Sequence, residues 1–389
     1  MEKSEDTIRR RKMNKVAVVN RTNLKNFGSV LQVYALCVAI RKLGYDVEVV
    51  WQSGNMSKNF DMRPNKVFKT GMKLLRHPSL LWSTYKTIRN VKAVAIDEGK
   101  VKKFDDFVTK NFVQTLYAPD EIEQVATSDK YYKFVCGSDQ IWVTTTLYPD
   151  PMMYLRFAPK EKRVAYAPSL GRNHIPNYNK RTLKRYIADI PCVSVREDEG
   201  RRLIKELTGR DAKVVADPTL LMRSHEWDHL KADVELPQKY VLCYFLDEPN
   251  IDVKNAIYQY AKKKGLDIVV LGKLGEIDYP TNRIYQPTTG PGEFLTITSN
   301  AYMIITDSYH GMLFAINYHR NFWSVERAYT QFDQSSRQQT VLSRLGMENR
   351  YVKSNYNFTD DDIDYNAIQA KIDAFVAYSM EYLRTSLEK

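Results

Sequence analysis

The sequence predicts an α/β fold made of two parallel, doubly wound domains that face each other across a cleft. Three observations carry this expectation. Short runs rich in Val, Ile and Tyr alternate with longer stretches of helical period, the alternation occurs in two sets, and a polar stretch separates the sets. At 389 residues the chain is long enough for two domains with separate cores.

The first set opens with KVAVVN (15–20), a strand. FGSVLQVYALCVAIRKLG (27–44) follows as an amphipathic helix closed by Gly44, and DVEVVW (46–51) as the next strand, giving a β-α-β unit. Residues 60–125 are basic and read as mostly helical with no clear strand. Strands resume at YYKFVCG (131–137), RVAYAPS (163–169), CVSVRE (192–197) and KVVADP (213–218). The polar stretch MRSHEWDHLKADVELPQK (222–239) is the boundary region.

The second set starts at YVLCYFL (240–246), followed by the helix VKNAIYQYAKKKG and the strand LDIVVLG (266–272). A loop leads to GPGEFLTITSN. Then come the strand AYMIITD (301–307), the helix YHGMLFAINY and the short strand NFWSVE (321–326). DYNAIQAKIDAFVAYSMEYLRTSLEK (364–389) reads as a long C-terminal helix. The expected division is a flexible basic N-terminus (1–14), a Rossmann-like domain over 15–222, a second over 223–350, and a C-terminal helical segment over 351–389.

Charge narrows the partners without choosing one. Lys+Arg exceed Asp+Glu by +12, which favours anionic partners. The basic residues are scattered, and neither zinc-finger spacing nor an aromatic-basic stripe is present, so nucleic acid is not expected. The four cysteines, Cys37, Cys136, Cys192 and Cys243, lie far apart in apolar contexts without CxxC spacing, as suits a reducing cytoplasm. The first residues carry no apolar signal region, and no window approaches the roughly 18 apolar residues of a membrane span, so a cytoplasmic location is expected. Arg9-Arg10-Arg11-Lys12 is read first as a solvated end, with peripheral contact to an anionic membrane face as the alternative.

Several stretches concentrate polar chemistry at strand ends. After the first strand, Asn26, Gly28 and Ser29 fall at a helix N-terminus, where free N–H groups and the helix dipole favour an anion; an ordinary polar cap is the simpler reading. The GxGxxG and GKS/T patterns are absent, so no dinucleotide or triphosphate site is claimed. In VCGSDQIW, Gly137, Ser138, Asp139 and Gln140 gather donors and acceptors. Trp142 beside them offers a flat apolar face for a sugar, unless it belongs to the core. Arg196 in SVREDEG is placed to bind a carboxylate or phosphate, or else to pair with Glu197 or Asp198. ADPTLL reads as structural, with Asp217 held extended before Pro218. In ITDSYHG, Asp307 or Ser308 caps a helix and His310 lies in its first turn, where a bound dianion would favour the protonated imidazole. His225 and His229 are spaced i,i+4 but lack further ligands, so no zinc site is expected.

Together and in order, NFGSVLQVYAL, VCGSDQIW, AYAPSLG, SVREDEG, ADPTLL, GPGEFL and ITDSYHGMLFAI resemble the polysaccharide pyruvyl transferase family over roughly residues 15 to 330. The resemblance implies a GT-B-like fold of two Rossmann-like domains and transfer of the pyruvyl group of phosphoenolpyruvate to a sugar as a cyclic ketal. His310 matches the family's histidine and is the expected acid/base. Arg196, with Ser308, Tyr309 and Gly311, would hold the donor on the C-terminal side. Asn26, Gly28, Ser29, Gly137, Ser138, Asp139 and Gln140 would face the acceptor from the N-terminal domain. Several family members carry Arg two residues before the histidine; here that position is Ser308, so one anion contact is either missing or supplied from elsewhere, with Lys273 and Arg283 as the candidates. Neither metal nor resident cofactor is expected, since the motifs lack carboxylates grouped for magnesium; phosphoenolpyruvate is a co-substrate. The expected partner is a sugar acceptor, galactose-type and lipid-linked. The alternatives are a GT-B glycosyltransferase using a nucleotide sugar and a non-catalytic glycan-binding relative.

Overall fold

The computed structural model describes residues 14–20, 25–54, 63–78, 80–81, 97–328, 335–361 and 363–389; the Arg9-Arg10-Arg11-Lys12 run lies outside them. The first sheet contains β1 (Lys15–Val19), β2 (Asp46–Gln52), β3 (Gln114–Tyr117), β4 (Lys133–Cys136), β5 (Arg163–Ala165), β6 (Cys192–Val195) and β7 (Lys213–Val214). Their order is β3-β2-β1-β4-β5-β6-β7, all parallel. Its helices are α1 (Phe27–Lys42), α2 (Arg63–Arg76), α3 (Glu98–Asn111), α4 (Glu121–Thr127), α5 (Asn177–Ala188) and α6 (Asp198–Thr208). The second sheet is also parallel, in the order β10-β9-β8-β11-β12-β13. It is formed by β8 (Tyr240–Phe245), β9 (Asp267–Gly272), β10 (Ile284–Tyr285), β11 (Met303–Thr306), β12 (Asn321–Val325) and β13 (Tyr351–Val352). α7 (Ile251–Lys264), α8 (Pro291–Asn300), α9 (Tyr309–Asn317), α10 (Ser336–Leu345) and α11 (Tyr365–Glu388) complete the chain.

Each sheet reverses its winding once, between β1 and β4 in the first and between β8 and β11 in the second. A parallel sheet opens a crevice at the carboxyl ends of strands where winding reverses. Asn20 and Gly137–Gln140 emerge at the first such point, Leu246 and Asp307–His310 at the second. α11 then returns to the first domain. Ser379 Oγ accepts from Ala216 N at 2.8 Å and Tyr382 OH donates to Ala165 O at 3.1 Å. Two Rossmann-like domains facing across a cleft, tied by a returning C-terminal helix, form the GT-B arrangement.

The expected elements hold in kind, with three corrections, and of the two readings of Trp142 the structure takes the core one. β3 falls in the region expected to lack a strand; it is an edge strand whose Leu116 is exposed, so its QTLY sequence carries no buried apolar run. The sheet of the second domain runs past residue 350 through β13, which pairs with β12. α1 is not amphipathic: every residue from Phe27 to Cys37 is buried, because the helix is wedged between the two domains. Its Phe27 ring stacks on Phe104 at 5.4 Å and on Phe294 of the second domain at 4.7 Å. Trp142 belongs to the core, stacked on Tyr154 at 5.1 Å with its Nε1–H donated to Met153 O at 2.9 Å. The four cysteines are free and buried. Among the described residues, no helix is long and apolar enough to cross a membrane.

Candidate active site

The strand ends bring together a network of ionic groups. Arg196, at the end of β6, has no exposed side-chain surface. It pairs with Asp217 Oδ2 at 2.7 Å and with Asp139 at 3.3 Å, and its Nε lies 3.9 Å from Glu197. Burial opposes its charge, but these three carboxylates keep the guanidinium ionised. Asp217 also accepts from Ser138 Oγ at 3.0 Å, while its other oxygen accepts from Thr219 N at 3.1 Å. Burial works against ionisation of Asp217 too. His310, Arg196 and the Thr219 N–H prevail and hold its carboxyl well below the usual carboxylate range.

His310 completes the arrangement from the second domain. Ser308 is the N-cap of α9, its Oγ accepting from Gly311 N at 3.2 Å, which sets the imidazole in the first turn. Nε2 lies 3.6 Å from Asp217 Oδ2, an ion-pair distance beyond a normal hydrogen bond, and is the buried side-chain atom of His310 without a bonded partner. On its other edge the ring meets Gly28 of α1. A Cβ at Gly28 would fall 2.0 Å from Nδ1, so only glycine permits this contact between the domains.

The remaining expected residues surround this core. Asn26 caps α1, its Oδ1 accepting from Ser29 N at 3.1 Å, and Ser29 Oγ donates to Asp139 Oδ2 at 2.5 Å. Gly137 has φ 124°, and a Cβ there would meet Tyr166 O at 1.8 Å. Ser138 is wholly buried, with its N–H donated to Gln32 Oε1 at 2.8 Å. Gly137 and Ser138 therefore frame the network from inside. Asp139 reaches the surface, with 21% of its side chain exposed against 9% for His310. Burial opposes its charge as well, but Arg196, His310 and the Ser29 hydroxyl pull its carboxyl below the usual range. Gln140 N donates to Asp139 Oδ1 at 2.8 Å.

Two residues of this site were not singled out as functional from sequence. Asp217, assigned a structural role beside Pro218, lies at the centre. Its extended backbone (φ −56°, ψ 141°) is the pre-proline conformation, and that conformation aims the carboxylate inward. An aspartate leaving a parallel strand at its carboxyl end was the available signal. Arg337, in the first turn of α10, is the other. Its guanidinium lies 5.7 Å from the centre of the Tyr309 ring, and that of Arg196 lies 4.5 Å from the same ring. With the Gln140 amide oxygen turned towards it, Arg337 donates to that oxygen at 2.5 and 3.0 Å. Burial and the charge of Arg196 lower its pKa to about 10. Arg283 is committed to Asp267 at 2.6 Å and to the Gly265 carbonyl at 2.8 Å, and Lys273 is exposed at the end of β9. Among the described residues, no three His, Cys, Asp or Glu side chains converge as a metal-binding set.

An interdomain cavity of about 560 Å³ opens beside Phe27, lined by Lys25, Asp97 and Lys100 from one domain and Gly272, Thr288 and Thr289 from the other. Fold and site thus define a two-domain α/β protein of GT-B arrangement with a histidine–aspartate–arginine constellation where its domains meet. A sequence model of the polysaccharide pyruvyl transferase family matches residues 26–329, and the chain belongs to that family. No curated protein matches significantly. Among solved structures, the UDP-GlcNAc 2-epimerase of Neisseria meningitidis bound to UDP-GlcNAc is 11% identical, covering 96% of this chain and 94% of its own, with a TM-score of 0.45. The epimerase of Methanocaldococcus jannaschii is 12% identical, covering 93% and 92%, with a TM-score of 0.45. The glycosyltransferase SnogD of Streptomyces nogalater is 13% identical, covering 96% and 98%, with a TM-score of 0.42.

Proposed function

We propose that this protein transfers the pyruvyl group of phosphoenolpyruvate to a galactose-type sugar of a surface polysaccharide repeat unit or its lipid-linked precursor. The observation that carries the reading is the His310–Asp217–Arg196 constellation, assembled from both domains of a member of the pyruvyl transferase family. Protonated His310 delivers its proton to the terminal enol carbon of phosphoenolpyruvate, creating an oxocarbenium-like centre at the adjacent carbon. One sugar hydroxyl attacks that centre and gives its proton back to the imidazole; a second displaces phosphate, its proton leaving with the phosphate, and closes the ketal. Asp217, kept ionised by Arg196, faces the ring at 3.6 Å and orients it.

The donor lies against the N-terminus of α9, at Ser308, Tyr309 and Gly311, where the helix dipole favours its anionic groups. Arg196 supports this site from behind, since its own surface is covered. Arg337 supplies the second cation in place of the family arginine that Ser308 lacks. Asp139, Gln140 and the Asn26–Ser29 turn face the acceptor, and the cavity beside Phe27, lined by Lys25, Lys100 and Thr288, leaves room for the rest of the glycan. Substrate access parts the contact between Gly28 and His310. No resident cofactor takes part in this scheme.

The test is a mass and phosphate assay with phosphoenolpyruvate and a galactose-containing acceptor. Transfer adds about 70 Da to the acceptor, the mass of pyruvate less water, and releases one phosphate for each ketal formed, as the proton-initiated sequence requires. His310→Ala lowers kcat by roughly 10²–10⁴-fold, the usual worth of a general acid, while Arg337→Gln acts mainly through a higher KM for phosphoenolpyruvate. Turnover of a nucleotide sugar with no response to phosphoenolpyruvate would refute the proposal.

A further inference from the structure

α2 leaves an apolar stripe uncovered, unlike an ordinary surface helix. Its sequence, RPNKVFKTGMKLLR, places Val67, Phe68, Gly71 and Leu75 on one side and Lys66, Lys69, Lys73 and Arg76 on the other. A surface helix ordinarily turns its apolar stripe to the core. Here Val67, Phe68 and Leu75 are 70%, 67% and 74% exposed. Of the polar side only Lys73 is drawn into the protein, donating to Leu147 O at 2.6 Å and Asn179 Oδ1 at 2.7 Å, while Lys66, Lys69 and Arg76 stay exposed. Burial lowers the Lys73 pKa to about 8. Leu81, just beyond the helix, is also exposed.

The cations around this apolar face indicate what covers it. Lys69 and Arg76 of α2 join Arg181 and Arg185 of α5 along one groove, and Lys66 lies 5.5 Å from the centre of the Tyr148 ring. Exposed aliphatic and aromatic side chains rimmed by Lys and Arg suit a bilayer interface carrying anionic headgroups: the apolar groups enter the acyl boundary while the cations stay at headgroup level. A second copy of this chain fits less well, because a two-fold contact sets each cationic rim against itself.

We infer that α2, with the adjoining face of α5, is a membrane-docking surface selective for anionic lipid. The assignment is independent of the transfer reaction, since none of these residues touches His310 or its network. The full-length protein is sedimented with vesicles of phosphatidylcholine alone and of phosphatidylcholine mixed with phosphatidylglycerol. It binds the mixed vesicles and is released by salt. Val67→Ser/Phe68→Ser/Leu75→Ser and Lys66→Gln/Lys69→Gln/Arg76→Gln each weaken that binding by roughly tenfold or more, as expected for an interfacial helix held by both contributions. Both triple variants keep the wild-type melting temperature, because the altered side chains are largely exposed. Equal binding to neutral vesicles, or unchanged anionic binding by the triple serine variant, overturns the inference. So does a wild-type dimer that the serine variant converts to monomer.

Discussion

Asp217 and Asp307 occupy comparable positions in the two domains, each leaving a parallel strand at its carboxyl end and each nearly without exposed surface, yet they ionise in opposite directions. Asp217 has His310 and Arg196 beside it and is held well below the usual range. Asp307 accepts two backbone N–H groups, from Leu246 at 2.7 Å and Asp247 at 3.1 Å, while its nearest cation, Arg327, lies 3.9 Å away and pairs more closely with Asp247. Burial prevails there and pushes its pKa up to about 6. Burial alone therefore does not decide the charge of a strand-end carboxylate. The first domain invests in a fixed anion that serves the histidine; the second invests in a backbone clasp joining the ends of β8 and β11.

The sharpest way to break this comparison is to remove each carboxylate. Asp217→Ala leaves Arg196 buried with its closest counter-ion gone, at a cost of about 3–5 kcal/mol in urea unfolding. Its contribution also has a defined pH window. Because the folded pKa is depressed, the stabilisation is complete above the ordinary aspartate value near pH ~4 and is lost as pH falls below it. An Asp217→Ala penalty no greater than that of Asp307→Ala would show that the Arg196 pair contributes nothing particular to the fold.

The same contrast explains what sequence reveals here. Strands such as VAVV and MIIT are fully buried and, Thr306 apart, apolar because helices cover both faces of a parallel sheet, and these runs were conspicuous in the sequence. His310 stood out because an imidazole after an apolar strand is chemically conspicuous. Asp217 did not, since the proline that aims its carboxylate also supplies a sufficient structural reason for the ADP sequence. Arg337 was hidden for another reason: its place depends on α10 crossing towards the first domain, where Thr340 Oγ accepts from Asp198 N at 3.1 Å. No local pattern encodes a contact between residues so far apart in the chain.

Gly28 tests whether the two walls act as one site. A methyl group there falls on the imidazole of His310, 2.0 Å from Nδ1 and 2.7 Å from Cβ. Gly28→Ala therefore forces the domains apart or turns the ring away from Asp217, with overpacking costing about 1–3 kcal/mol. Pyruvyl transfer falls further than stability does, with kcat affected more than KM because the acid is displaced while the donor cradle at α9 survives. A Gly28→Ala enzyme with wild-type kcat would show that His310 does its work away from α1.

The smallest expected effect concerns Asp307, and its sign carries the information. A carboxyl whose folded pKa is raised to about 6 is penalised wherever it is ionised, so its contribution improves as pH falls from neutrality towards the ordinary aspartate range. This is the reverse of Asp217 and lies in a higher pH window. Asp307→Asn abolishes that dependence while keeping one oxygen for Leu246 N; its amide nitrogen then faces the Asp247 N–H and forfeits the second bond. The gain from losing a penalised charge and the loss of one acceptor nearly cancel near pH ~7, leaving a difference on the order of 1 kcal/mol. The informative measurement is the difference in unfolding free energy between wild type and Asp307→Asn from pH ~4 to ~7, where the wild type should lose ground to the variant as pH rises through the folded pKa of about 6 and level off above it. A difference that stays flat across that range would mean that Arg327 and the two N–H groups already hold Asp307 as a carboxylate, and the two strand-end aspartates would then be alike in charge.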